Sequence, residues 1–123
     1  MRVCVIGHYS TNSKGDQAGV IEVLQNIERG TRISAKLMAE GYNVYCPWLD
    51  HQFAFHEPDM DVQRYRDNSM AWLEVSDAVL IISGCGLGGG VDTEINRANE
   101  LGIPVYETME DLGAYFNNEH EAP

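Results

Sequence analysis

The succession of secondary-structure elements is clearest in the stretch Asp77-Ala-Val-Leu-Ile-Ile-Ser-Gly-Cys-Gly-Leu-Gly-Gly-Gly-Val-Asp-Thr-Glu-Ile-Asn-Arg-Ala-Asn-Glu-Leu-Gly-Ile-Pro104. Its apolar run 78–82 is rich in branched residues, which is typical of a strand covered on both faces in a parallel sheet. Five glycines follow between 84 and 90. Apolar residues then recur at helical spacing until Gly102 and Pro104 end the pattern. The stretch therefore predicts a strand, a glycine loop and a helix.

The glycine loop is the first place at which we expect a ligand. In open parallel sheets ligands bind beyond the carboxyl ends of the strands, and glycine lets another molecule approach the backbone closely. Asp92 or Thr93 is expected to cap the helix, which places Glu94 in its first turn. There the helix dipole favours an ionised carboxylate by roughly 0.3–1 kcal/mol. The glycines expected to contact a ligand are Gly84, Gly86, Gly88 and Gly90.

Strands and helices alternate along the rest of the chain. Further strands are predicted at 3–6, 42–47 and 103–106, and further helices at 20–41, 61–76 and 109–116. This alternation predicts an α/β fold, a three-layer Rossmann-like sandwich with a small parallel sheet of four to five strands. We expect a single domain over residues 1–117 and a polar tail at 118–123.

The sequence does not decide the secondary structure of two segments. Gly30 interrupts the first long helical pattern, so it either packs closely on the sheet or marks a shorter helix that begins near Asn26. The segment 48–59 is both aromatic and acidic and is interpreted as an irregular loop. Its aromatic part, Trp48 to Phe55, needs cover, which favours a homo-oligomer of two or more chains. In the second helix we expect an apolar face formed by Val62, Tyr65, Ser69, Trp72 and Leu73.

Composition narrows the classes of function. The chain has 123 residues and a formal net charge of −11, which argues against a nucleic-acid polymer as partner because phosphate binding needs a basic surface. Neither a leader of signal-peptide type nor a stretch long enough to cross a bilayer is visible, so we expect a cytoplasmic protein without a membrane partner. The cysteines Cys4, Cys46 and Cys85 lack metal-ligand spacing, and the first two are expected in the core.

Several other segments contain candidate sites. Gly84, Gly86 and Gly89 match a dinucleotide fingerprint, with Glu107 at the distance of a ribose contact, but the fingerprint normally follows the first strand of a fold. Cys85 is a candidate reactive thiol without a predicted histidine nearby. The histidines and acidic residues within 50–59 match no common metal spacing, and 7–15 lacks the residue order of a P-loop. A surface loop without any ligand remains the simplest alternative.

Three parts of the chain carry a resemblance to a known family. They are the segment from Asn26 through Gly41 to Pro47, the helix that ends Trp72-Leu-Glu-Val-Ser-Asp77, and Gly90-x-x-x-Glu94-x-x-x-Ala98 followed by Leu101-Gly-Ile-Pro-Val105. Together they resemble the nucleoside 2-deoxyribosyltransferase-like superfamily, which includes the 2-deoxynucleoside 5-monophosphate N-glycosidases. The resemblance covers nearly the whole chain up to Leu112.

The resemblance implies cleavage or exchange of the bond between a base and a deoxyribose, with Glu94 as nucleophile. It also implies a second carboxylate eight residues before Asp77, where this chain has Ser69 and, two residues earlier, Asp67. Where relatives carry Asp or Ser, this chain has Gly88. A ligand-contacting loop is implied at Gly7, His8 and Tyr9, with a small nucleoside or nucleotide as partner and neither a metal nor an organic cofactor. The alternative is a protein that binds or sequesters a nucleotide or an ADP-ribose-like ligand without cleaving it.

Overall fold

A computed structural model describes residues 1–7, 16–82 and 90–121, with side chains described for 1–7, 20–82 and 91–117. Helices and strands alternate, as the sequence predicts. The strands are β1 (Arg2–Ile6), β2 (Asn43–Tyr45), β3 (Ala78–Ile81) and β4 (Val105–Tyr106). The α-helices are α1 (Asp16–Ala39), α2 (Val62–Leu73), α3 (Gly90–Leu101) and α4 (Met109–Glu121), and a 3-10 helix spans Pro47–Phe55.

The four strands form one sheet in the order β2-β1-β3-β4, and every pair is parallel. In the centre of the sheet Ile6 pairs with Ile81, so β1 and β3 end at the same level. This confirms the predicted α/β fold with a small parallel sheet. Among the described residues, no helix is both long and apolar enough to cross a membrane.

Helices cover both faces of the sheet, which makes three layers. Side chains alternate between the faces along each strand. On one face, Val3, Val5 and Leu80 pack with apolar residues of α1 and α4, among them Leu37 and Leu112. On the other face, strand side chains pack with those of α2 and α3: Cys4, Ile6 and Val79 with Leu73, Val91 and Ala98.

The helix α1 is continuous through Gly30, so the shorter helix considered from Asn26 is not formed. Gly30 packs against the indole ring of Trp48. The close contact that the glycine predicted is therefore made with the 3-10 helix and not with the sheet. Trp48 is 1% exposed. Burial of this ring against the glycine holds the 3-10 helix on the long helix, so residues 47–55 are not the irregular loop that we expected.

Two other expectations are wrong in detail. On α2, Val62 and Trp72 are exposed and Leu73 alone is fully buried, because the sheet ends at the three-residue edge strand β2 and gives the helix little to cover. At the carboxyl end, α4 continues to Glu121, beyond the helix predicted at 109–116. Gly102, in contrast, ends α3 as predicted, with a φ of 72° that glycine adopts without strain.

Candidate functional site

The sheet places two predicted ligand segments side by side. The chain order reverses between β1 and β3, and in open α/β sheets the crevice at such a switch point is where ligands bind. Gly7 directly follows β1, and α3 starts at Gly90 after β3. The predicted contacts His8, Tyr9, Gly84, Gly86 and Gly88 lie outside the described residues, as do Cys85 and Gly89. Of the two predicted ligand loops, only Gly7 and Gly90 are described, and they locate the candidate site at the carboxyl ends of β1 and β3.

Glu94 lies deeper in α3 than the sequence suggested. The helix begins at Gly90 rather than at a cap on Asp92 or Thr93, and Asp92 is the acidic residue of its first turn. Glu94 is the fifth residue, one turn in from the helix start. Because the dipole effect fades beyond the first turn, the stabilisation of the carboxylate that we expected there is largely lost.

The side chain of Glu94 faces the sheet. It follows Val91 by three residues and precedes Ala98 by four, and both of these pack against the sheet. Glu94 itself is partly buried. Burial raises the pKa of its carboxyl group to about 7, since the charged form loses hydration. The expectation that the helix dipole holds this carboxylate ionised is therefore wrong, because burial favours the neutral form.

Cys4 of β1 packs in the same cluster as Val91 and Ala98 of α3, and its thiol interacts with the charge of Glu94. Cys4 is 1% exposed, as expected of a core cysteine, and burial followed by the charge of Glu94 raises the pKa of its thiol. Its register partner in β2 is Tyr45. Side chains paired across neighbouring strands lie on the same face. Glu94 and Tyr45 therefore flank Cys4 on the α2 and α3 face of the sheet.

Tyr45 is the centre of a hydrogen-bonded polar network. Its hydroxyl donates to Asp50 Oδ2 over 2.7 Å and accepts from the Asn68 amide over 3.2 Å. Ser69 Oγ lies 3.5 Å from the same hydroxyl. Burial raises the pKa of Asp50, while hydrogen bonds from Tyr45 and Asn68 oppose this rise. Burial likewise raises the pKa of Tyr45.

The two predicted partners of Glu94 on α2 have different surroundings. Asp67 is exposed, and its Oδ1 accepts a hydrogen bond from Gln63 Nε2 over 2.9 Å. Ser69 is partly buried and faces Tyr45. Two positions along an α-helix rotate a side chain by about 200°, which separates them. Ser69 thus joins the polar network and Asp67 faces solvent.

Asp50 is the residue that sequence reasoning missed. The sequence places it in an irregular acidic loop, but it is 9% exposed and hydrogen-bonded to Tyr45. The neighbouring His51 also has a structural contact, because its Nδ1 donates to the carbonyl of Trp48 over 2.6 Å. In the sequence, only Gly30 hinted at this arrangement. A glycine inside a helix indicates that another segment packs closely there, and the segment is the one that carries Trp48 and Asp50.

In the described part of the chain, no group of three His, Cys, Asp or Glu is placed to hold a metal ion.

No protein-family model, curated protein or solved structure matches the chain. What the site can do is therefore argued from its own chemistry. A partly buried carboxyl group with a pKa near 7 is able to exchange a proton or attack an electrophile at neutral pH. Such a group lies on the helix that starts beside the switch point of the sheet.

Proposed function

We propose that the protein cleaves or exchanges the N-glycosidic bond of a small (deoxy)nucleoside or nucleotide, with Glu94 as nucleophile. The observation that carries the proposal is the state of this carboxyl group. It is partly buried, its pKa is raised by burial, and among the described residues it has neither a hydrogen bond nor an ion pair. A desolvated carboxyl group without a structural partner is typical of a reactive one. The resemblance of the Gly90 to Ala98 spacing supports the same role.

The chemistry follows that of retaining sugar hydrolysis. The ionised Glu94 attacks the anomeric carbon, the bond to the base breaks, and the base leaves with the electron pair and takes a proton from water. Water or a second base then breaks the glycosyl ester and restores the carboxylate. Free backbone N–H groups at the start of α3, from Gly90 onward, are suited to hold a phosphate or a sugar hydroxyl.

The test is base release from each deoxynucleoside and each deoxynucleoside 5-monophosphate, followed by chromatography. We expect free base from at least one of these compounds, with the rate reduced on the order of 100-fold or more in Glu94→Gln. The matched control is Glu100→Gln, which changes an exposed carboxylate on the same helix. Absence of free base from every compound, or equal release by Glu94→Gln, contradicts the proposal.

A second candidate is a protein that binds a nucleotide or an ADP-ribose-like ligand without cleaving it. The position of Asp67 favours it, because this carboxylate is exposed and bonded to Gln63 instead of facing the partly buried side of α2. Ser69 offers a hydroxyl group in place of a second carboxylate. Calorimetry with a nucleotide panel and ADP-ribose, followed by recovery of intact ligand, supports this alternative. If none of these compounds gives a heat of binding, this second candidate function is excluded.

A further inference from the structure

A cleft of about 460 Å³ runs between the edge strand β2 and the helix α2. This volume lies within the range of small-molecule sites, roughly 300–1,000 Å³. Arg2, Tyr45, Asp50, Phe53, Asn68 and Trp72 contribute to its walls. Its described lining does not include Glu94, so the cleft is distinct from the site proposed above.

One wall of the cleft is aromatic. The rings of Tyr45 and Trp72 are stacked, with centroids 6.0 Å apart and planes inclined by 20°. Trp72 is 52% exposed even though it is one of the largest apolar side chains in the protein. Phe53 is exposed to the same extent. A flat ring that settles on this wall covers aromatic surface that water now contacts.

Asp50 gives the cleft an acceptor end. A carboxylate offers about four lone-pair sites. Tyr45 donates to Asp50 Oδ2, which leaves acceptor capacity toward the cleft that this residue lines. Because Asp50 is nearly buried, a ligand group that donates N–H bonds to it is favoured over one that only accepts. An amino group on an aromatic ring meets this requirement.

Arg2 gives the cleft a cationic end. It pairs with Asn43, two residues before the Cys4–Tyr45 pair, which is about 7 Å along the strands. Asp77 accepts a bond from the main-chain N–H of Arg2 over 2.7 Å, and among the described residues the guanidinium group forms no ion pair. A guanidinium at the rim of a cleft is well suited to a phosphate.

We propose that this cleft binds an amino-substituted nucleotide, with its flat base on Trp72, its amino group at Asp50 and its phosphate at Arg2. The three requirements come from three different residues that line the cleft. The site does not depend on Glu94, and it binds its ligand without chemical change.

The test uses adenosine 5-monophosphate as probe, with tryptophan fluorescence and calorimetry on the full chain. Trp72 lines the cleft while Trp48 is buried, so a saturable change in emission reports on this site. We expect the signal to disappear in Trp72→Phe. We expect Asp50→Asn to weaken binding by a factor of about ten or more, and the exposed Asp59→Asn to leave it unchanged.

Ligand comparisons keep the test independent of how Asp50→Asn folds. Inosine 5-monophosphate replaces the amino group by a carbonyl, so it should bind the wild-type chain about tenfold more weakly or worse. Adenosine, which lacks the phosphate, should bind more weakly than adenosine 5-monophosphate. In Arg2→Ala the two compounds should bind with equal affinity. Binding should persist in Glu94→Gln, which separates this site from the proposed reaction. Absence of binding, equal binding of the inosine compound, or loss of binding in Glu94→Gln overturns the proposal.

Discussion

The indole ring of Trp48 lies in the space that a Cβ atom at Gly30 would occupy. This contact joins the middle of α1 to the 3-10 helix, and thereby places Asp50 where Tyr45 can bond to it. A glycine that lowers the intrinsic stability of a helix is thus compensated by the burial of a large aromatic ring.

Gly30→Ala should destabilise the protein even though alanine favours helices. The added methyl group overlaps the indole ring of Trp48, which is 1% exposed, and overpacking costs about 1–3 kcal/mol. Urea denaturation measures the change in the free energy of unfolding. The matched control is Gly113→Ala in α4, where nothing lies within 4 Å of the added atom, and which should gain up to about 1 kcal/mol. Similar stability of the two variants contradicts the contact.

Glu94 should make stability depend on pH between about 4.5 and 7. Its ordinary pKa is 4.5 and burial raises it to about 7, so the folded chain holds a proton that the unfolded chain has already lost. Stability from this group is therefore complete below pH 4.5 and falls as the pH rises to 7, by about 3 kcal/mol. Glu94→Gln should match the wild type near pH 4.5 and exceed it by about that amount at pH 8. Parallel pH curves for the two proteins rule out the burial of a carboxyl group.

Tyr45→Phe should weaken the fold through Asp50. Loss of the hydroxyl removes a 2.7 Å hydrogen bond from a nearly buried carboxylate, at a cost of about 1–3 kcal/mol. That bond lowers the pKa of Asp50, so its loss raises this pKa, and the loss of stability is larger at pH 7 than near pH 4. Chemical unfolding at both pH values measures it. The effect should shrink in an Asp50→Asn background, and full additivity of the two changes means that the residues do not interact.

Cys4 should be inert in the folded protein. Burial and the nearby Glu94 both raise the pKa of its thiol, so almost no thiolate is present to react. In a variant whose other cysteines are replaced by serine, a thiol reagent should label Cys4 more slowly than in denaturant, by a factor on the order of 100. Equal rates in the two conditions contradict a buried thiol.

A homo-oligomer is still a prediction, and exposed apolar side chains of α1 favour it in addition to Phe53 and Phe55, which remain 52% and 80% exposed. Trp48 is covered within the chain, whereas Val20, Ile21 and Leu24 lie 54–60% exposed together on α1. Sedimentation equilibrium should give a mass of two or more chains, and Leu24→Glu should lower it. Met38→Glu is the control, because Met38 is also an exposed apolar residue and lies near the other end of α1. A mass of one chain for the wild type contradicts the prediction.

The sequence predicted the carboxylate of the candidate site but not the polar network beside it. The spacing around Glu94 and the strand before Gly84 predicted a carboxylate on a helix beside the sheet, and α3 is formed there. The start of that helix was misjudged because Asp92 and Thr93 are good caps, although the helix begins at Gly90. The polar network was missed because Tyr45 and Asn68 belong to different elements, and no local pattern relates them.

The sequence by itself determined the alternation of strands and helices, the parallel sheet and the end of α3 at Gly102, because hydrophobic periodicity and the conformational freedom of glycine act over a few residues. Only the tertiary structure decided that Asp50 is buried, that Trp48 rests on Gly30, and that the pKa of Glu94 is raised. Hydration and packing depend on which distant segments fold over a side chain. The energy of a charged or bulky group is therefore set only when those segments come together.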